Sequence, residues 1–203
     1  MQSINLIISA ILQILLFSII PFIWWFFSGR KKSSFLNWIG IKIPVVQDKK
    51  KFIITFMLSL VLLFVVSFLV VPLFVDSSDL ATSQFEGAGI AVIIPVLIYA
   101  FVQTGFSEEL FFRGFLTKRL VGKFGFNMGN AIQGLLFGLV HGVMFVSLAG
   151  LLGTLVIILM TGIAGWLMGW INEKQSGGSI LSSWLLHGCA NALASIFSMF
   201  TIF

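Results

Sequence analysis

The chain has 203 residues, of which 59% are apolar and only 9% are charged. Soluble domains carry about a quarter charged residues, so this composition excludes an ordinary soluble fold and predicts an integral membrane protein. The net charge of +5 would suit nucleic acid, but most of the basic excess lies in two short loops between apolar segments, a pattern typical of membrane topology. We therefore expect contact with a lipid bilayer and none with nucleic acid.

Two apolar spans are predicted in the N-terminal part of the chain, at residues 4–28 and 52–75. The first span ends at a basic cluster, the reverse of the order in a signal peptide, so we expect a retained helix. Residues 30–51 carry seven basic residues and one acidic residue, whereas residues 76–87 carry three acidic residues and no basic one. This contrast predicts that the first connection is cytoplasmic and the second lies outside.

Four further apolar runs follow, at about residues 89–118, 129–147, 150–171 and 179–203. The sequence therefore predicts an all-α, polytopic membrane bundle of about six transmembrane helices with both termini outside. We divide it into residues 1–88, with two helices and the basic cytoplasmic loop, and a catalytic helical core at residues 89–203. The expected location is a cell membrane, multi-pass, and specifically a bacterial plasma membrane.

Glycines recur every three or four residues in the fourth and fifth spans, at positions 134, 138, 142, 162, 165 and 169. Small residues at this spacing leave one helix face nearly bare, so that another helix can pack closely against it. We expect these glycines to serve packing and not chemistry.

The third span carries three charged residues, Glu108, Glu109 and Arg113, within a long apolar run. Charged groups at membrane depth are costly and usually face a protein interior, where they take part in chemistry or transport. Glu109 and Arg113 are four residues apart and can pair on one helix face, whereas Glu108 points about 100° away from Glu109. We expect Glu109 to be a structural partner of Arg113, and Glu108 to be free to act as an acid or base. The alternative is a buried ion network that only holds helices together.

The chain has two histidines, His141 and His187, and each lies within a predicted span with a partner four residues away. Phe137 precedes His141 and Asn191 follows His187, so each pair shares a helix face. At 1.5 Å per residue, Glu108 lies ~15 Å before Lys118, His187 lies ~15 Å after Gly177, and His141 lies ~18 Å after Gly129. All three therefore reach one level near the middle of a ~30 Å hydrocarbon layer.

These residues form three motifs, in this order along the chain: Glu108-Glu109-x3-Arg113, Phe137-x3-His141 and His187-x3-Asn191. Over about residues 90–200 they resemble the motifs of the CPBP family, the CAAX proteases and bacteriocin-processing or immunity proteins, also called Abi. The resemblance implies an all-helical intramembrane endopeptidase, in which Glu108 and His141 activate water while His187 and Asn191 stabilise the oxyanion. One departure is Gly188-Cys189-Ala190, where many relatives have a second Asn nearby.

The chemistry of the side chains is consistent with that role. Peptide hydrolysis needs a base for water and donors for the tetrahedral oxygen anion, and a glutamate, two histidines and an asparagine can supply both. Glu109, Arg113 and Phe137 are predicted to support these groups. Cys189 lies about 200° around the helix from His187, so that imidazole cannot activate it as a nucleophile.

The sequence leaves several alternatives open. Glu108, His141 and His187 could instead supply the ligands of a catalytic zinc ion, although we expect a metal-independent mechanism with no required cofactor. The rival functions are a noncatalytic scaffold or immunity protein and an ion-coupled transporter. The candidate substrates are a prenylated CAAX-like protein, a peptide or bacteriocin precursor, or a membrane protein, and we favour the last two classes.

Overall fold

The computed structural model describes residues 2–200, and this part of the chain is helical without strands. The predicted all-α fold is confirmed. Short 3-10 turns, Ser77–Asp79 and Ala81–Phe85, connect the third helix to the fourth. The helices are α1 (Gln2–Ser28), α2 (Phe35–Ile39), α3 (Lys49–Leu73), α4 (Gly89–Phe124), α5 (126–149), α6 (151–175) and α7 (Leu181–Met199).

Helices α5 and α6 form an antiparallel hairpin that folds back at Gly150, where φ is 64° and ψ is 179°. This left-handed φ favours glycine. The two arms meet along the glycine face expected from the sequence, because a Cβ on Gly138 would lie only 2.3 Å from the carbonyl oxygen of Ile158. A Cβ on Gly134 would lie 2.9 Å from the carbonyl oxygen of Gly162. The prediction that these glycines serve close packing is confirmed.

The helices have the dimensions of a membrane bundle. Four stretches are long and apolar enough to cross a bilayer: Ile4–Ser28, Lys49–Leu73, Gly89–Phe124 and Phe126–Gln175. The last stretch contains both arms of the α5–α6 hairpin, and α7 adds 19 residues, ~28 Å of helix. A polytopic bundle of about six helices results. The predicted sixth span extended to residue 203, and residues 201–203 lie outside the described part.

Helix α4 lies at the centre of the bundle, between α1 and α7. On the α1 side, Gln13 Nε2 donates to Ser107 Oγ at 3.1 Å. On the α7 side, Trp184 Nε1 donates to the carbonyl oxygen of Phe101 at 2.6 Å. A Cβ on Gly188 would lie 2.1 Å from the Phe101 ring, so α7 approaches α4 as closely as glycine allows.

The backbone of α4 is unusual on both sides of the glutamate pair. Residues Ile98–Phe106 and Leu110–Thr117 are π-helical, with hydrogen bonds to the residue five positions back. The side chain of Thr104 repeats this spacing, because its hydroxyl donates to the carbonyl oxygen of Tyr99 at 2.9 Å. The short α-helical stretch Ser107–Glu109 lies between the two π segments. Widened turns of this kind often occur at functional sites.

The basic loop between α1 and α3 packs against the turn between α6 and α7. Ile180 N donates to the carbonyl oxygen of Gly40 at 2.9 Å. Lys118 Nζ donates to the carbonyl oxygen of Gly178 at 2.7 Å and pairs with Glu173 Oε1 at 2.8 Å. These contacts join the basic loop and α4 to the region where α6 ends and α7 begins, at one end of the bundle. The side on which this end lies, and the division of the chain at residue 88, stay predictions.

Candidate active site

The charged residues of α4 pair as their spacing predicts. Arg113 Nη1 lies 2.8 Å from Glu109 Oε1, and both side chains are completely buried. The guanidinium also lies over the ring of Phe137, with its Cζ 4.1 Å from the ring centroid. Ion pairing and an aromatic face together offset part of the cost of removing both charges from water, while Arg113 Nε and Nη2 have no hydrogen-bond partner within residues 2–200.

Glu109 also binds two side chains of α7, contacts that the sequence did not predict. Its Oε1 lies 3.0 Å from His187 Nδ1, and its Oε2 accepts a hydrogen bond from the Ser183 hydroxyl. Asn172 at the end of α6 donates to Ser183 Oγ at 2.6 Å. The carboxylate of Glu109 therefore joins α4 to α7, and through Ser183 to α6.

The contact with Glu109 determines how His187 faces Glu108. A carboxylate only accepts hydrogen bonds, so the imidazole donates from Nδ1 and turns Nε2 towards the second glutamate. His187 Nε2 lies 3.9 Å from Glu108 Oε2, a separation longer than a direct hydrogen bond and suited to a bridging molecule. Glu108 Oε2 is buried and has no hydrogen-bond partner within residues 2–200. It differs in this respect from Glu109.

His141 of α5 is fixed in the same manner. Its Nδ1 lies 2.9 Å from the backbone carbonyl oxygen of Phe137, which can only accept, so Nδ1 carries the proton and Nε2 is the basic nitrogen. The imidazole packs on the Phe137 ring, with 4.3 Å between centroids, and interacts electrostatically with Glu108 and His187. His187 therefore lies next to Glu108, while His141 interacts with Glu108 electrostatically from α5.

Asn191 lies one helical turn from His187 on α7 and contacts α4. Its Nδ2 donates to Thr104 Oγ1 at 2.8 Å, and Thr104 lies one turn before Glu108. The two helices therefore present matched pairs, His187 with Glu108 and Asn191 with Thr104. The amide of Asn191 keeps a second N–H and its oxygen for other partners.

Phe137 occupies the space between the ion pair and the histidines. Its ring lies against the Arg113 guanidinium and the His141 ring, and its centroid is 6.2 Å from that of His187 in an edge-to-face arrangement. Gly165 of α6 lies behind it, where a Cβ would be 3.0 Å from Phe137 Cδ1 and 3.2 Å from Arg113 Nη2. Phe137 thus contacts both the ion pair and His141, and its supporting role stays a prediction.

Sequence analysis missed Ser183, Asn172 and Thr104 as members of the site. A signal existed for two of them, because Ser183 lies four residues before His187 and Thr104 four residues before Glu108. Asn172 had no such signal, since it belongs to another helix. The catalytic, oxyanion and supporting roles assigned from the sequence stay predictions.

The residues of this site do not form a metal-ligand set. Within residues 2–200, no group of three His, Cys, Asp or Glu side chains lies in an arrangement that could hold a metal ion. The contact of His187 Nδ1 with Glu109 leaves Nε2 as the ring nitrogen that could face a metal ion. Zinc as an alternative cofactor stays a prediction.

The buried network predicts different effects for two glutamate substitutions. We expect Glu109→Gln to lower the free energy of unfolding by about 3–5 kcal/mol, because Arg113 would keep a buried charge without its partner. Glu86→Gln is the matched control, since Glu86 is exposed and forms no salt bridge within residues 2–200, so its substitution should change stability by less than about 0.5 kcal/mol. Heat denaturation of the purified variants provides the comparison. Equal stability of Glu109→Gln and wild type would contradict this role.

Comparison with known proteins gives one match. A family model described as type II CAAX prenyl endopeptidase Rce1-like matches residues 90–193, just over half of the chain, and this range contains all three motifs. No curated protein and no solved structure matches the chain. The family consists of CAAX-type intramembrane proteases. A multi-pass helical bundle with polar residues at its centre fits such a family. The chain belongs to the Rce1-like family of type II CAAX prenyl endopeptidases.

Proposed function

We propose that the protein is an intramembrane endopeptidase that hydrolyses a peptide bond in a membrane-associated protein or a peptide precursor. Glu108 and His141 activate water, and His187 and Asn191 stabilise the oxyanion. One observation carries the proposal: Glu108 is mostly buried beside the oriented imidazole of His187, while its Oε2 lacks a partner in the described chain. A glutamate that served only to hold helices together would be paired, as Glu109 is.

The water-activating step uses Glu108 and His141. A water between them would donate to the free Glu108 Oε2 and to His141 Nε2, because Nδ1 is held by the Phe137 carbonyl. Glu108 takes the proton as water attacks the scissile carbonyl, and returns it to the leaving amine as the peptide bond breaks. Glu108 is therefore the base when water attacks and the acid when the amine leaves.

The oxyanion step uses the α7 residues. His187 donates from Nε2 when its ring carries a second proton. The positive charge of that ring then lies between the carboxylates of Glu109 and Glu108. Asn191 donates the amide N–H that is not bound to Thr104. Preorganised donors of this kind stabilise the negative charge that develops in the transition state, and loss of one typically costs about 10²–10³ in kcat.

Thr104 is a positioning residue in this scheme, because it holds the Asn191 amide and is itself held by the Tyr99 carbonyl. Glu109 positions His187 in the corresponding way. Neither residue needs to touch the substrate.

We propose a peptide precursor, such as a bacteriocin or other exported peptide, or a membrane protein as the substrate, and the bacterial plasma membrane as the location.

The central test compares cleavage products in cells. We expect Glu108→Gln to abolish cleavage without loss of fold, because glutamine keeps the shape of the side chain but cannot accept the proton. Glu86→Gln is the matched control, since Glu86 is exposed between α3 and α4. Mass spectrometry of membrane peptides should show products that are present with wild type and Glu86→Gln but absent with Glu108→Gln. Identical peptide sets in all three would instead indicate a noncatalytic scaffold.

Substitution of Thr104 tests the positioning of Asn191. Thr104→Val keeps the side-chain shape and removes the hydroxyl, so the Asn191 amide loses its acceptor. We expect kcat to fall about fivefold to tenfold, the equivalent of one hydrogen bond, with KM nearly unchanged. Thr104→Ser keeps the hydroxyl and should restore most of kcat. Equal loss of kcat in Thr104→Val and Thr104→Ser would contradict a role that depends on the hydrogen bond to Asn191.

Metal removal distinguishes metal-independent activation of water from activation by a zinc ion. Because no three His, Cys, Asp or Glu side chains within residues 2–200 are arranged to hold a metal ion, we expect turnover to survive exhaustive chelation, and elemental analysis to find no stoichiometric zinc in the active protein. The control is a zinc metalloprotease treated in the same buffer, which should lose activity. Stoichiometric zinc whose removal stops turnover, and whose return restores it, would make Glu108, His141 and His187 metal ligands.

A further inference from the structure

An apolar groove lies between α3 and α7, away from the candidate active site. Its volume is about 520 Å³, and the loop before α3 contributes Pro44 and Val46 to its rim. Its one polar side chain, Ser182, is engaged by Ser176, whose hydroxyl donates to it at 2.8 Å. The main lining residues are Phe52, Ile53, Phe56, Leu181, Trp184 and Leu185.

The groove lies beside a cluster of three lysines. Lys49, Lys50 and Lys51 immediately precede Phe52 in the first turn of α3, and all three side chains are exposed. The nearest acidic residue, Asp48, is used to cap the helix, because its Oδ1 accepts from Lys51 N at 2.9 Å. No carboxylate within residues 2–200 forms a salt bridge with any of these lysines. Lys51 Nζ lies 5.5 Å from the centroid of the Trp170 ring, so Lys49 and Lys50 are the lysines of this cluster that could contact an anion.

The apolar lining of the groove and the lysines beside it together favour a ligand that is amphipathic and anionic. An extended polypeptide would bring backbone N–H and C=O groups into a groove with almost no polar atoms to satisfy them. A further transmembrane helix would satisfy its own backbone but would leave the lysines without an anion. An acyl chain needs no hydrogen bonds, and basic clusters at the end of a membrane helix attract anionic head groups.

We propose that this groove binds one acyl chain of an anionic glycerophospholipid, whose head-group phosphate contacts Lys49 and Lys50. The chain would lie on Leu181, Trp184 and Leu185, which form the first turns of α7. The same turns carry Ser183, which donates to Glu109. A bound lipid would therefore stabilise the helix that presents His187, from a site that the substrate does not enter.

Competition between lipids tests the head-group contact. The purified protein is equilibrated with equal amounts of phosphatidylglycerol and phosphatidylcholine, and the bound lipids are counted by native mass spectrometry. We expect preferential retention of phosphatidylglycerol, and a fall in that preference of about thirtyfold in Lys49→Gln/Lys50→Gln. Lys31→Gln/Lys32→Gln removes the same charge from exposed positions elsewhere in the basic loop and should change the preference less than about twofold. Equal loss in both double variants would show diffuse attraction and overturn the proposal.

A second pair of variants tests the groove itself and does not depend on charge. Ile53 and Ile54 are both exposed on α3, but only Ile53 lines the groove. We expect Ile53→Trp to fill it and displace bound phosphatidylglycerol, and Ile54→Trp to leave binding unchanged, with heat stability measured to confirm that both variants fold. Unchanged phosphatidylglycerol binding in Ile53→Trp would contradict the proposal. Loss of peptide cleavage without loss of lipid binding would identify the groove as a substrate site and also contradict it.

Discussion

The arrangement of the bundle depends on one buried carboxylate. Glu109 is completely removed from solvent, and its two oxygens hold Arg113 on its own helix, and His187 and Ser183 on α7. A charge at this depth is tolerated only with such partners, because an uncompensated ion inside protein or lipid costs several kcal/mol. The requirement that Glu109 be satisfied therefore fixes how α4 and α7 face each other.

The same constraint gives the two adjacent glutamates different surroundings. Because Glu109 occupies Nδ1 of His187, the other ring nitrogen faces Glu108, whose own Oε2 has no partner in the described chain. His141 is oriented independently by the Phe137 carbonyl. Membership in the Rce1-like family supplies the class of reaction, and this difference suggests which carboxylate takes the proton. The π-helical segments on both sides of Glu108 and Glu109 belong to the same helix, α4.

Patterns within one helix were predictable from the sequence, and contacts between helices were not. The Glu109–Arg113 pair follows from four-residue spacing, and the glycine face of α5 follows from recurrence at positions 134 and 138. The contact between Glu109 and His187 depends on the crossing of two helices, about which residue spacing carries no information. Depth counting placed both histidines near Glu108, but it could not show that one imidazole would be shared between two glutamates.

The orientation of His187 tests this account most directly. The chain contains only two histidines, so nitrogen-15 NMR of histidine-labelled protein gives few ring signals, and His141→Gln assigns them. We expect that Nδ1 of His187 is protonated and hydrogen-bonded, and that Glu109→Leu, which has no acceptor, removes this signature while Glu108→Gln retains it. An unprotonated Nδ1, with the proton on Nε2 in the wild-type protein, would contradict the proposed division between the two glutamates.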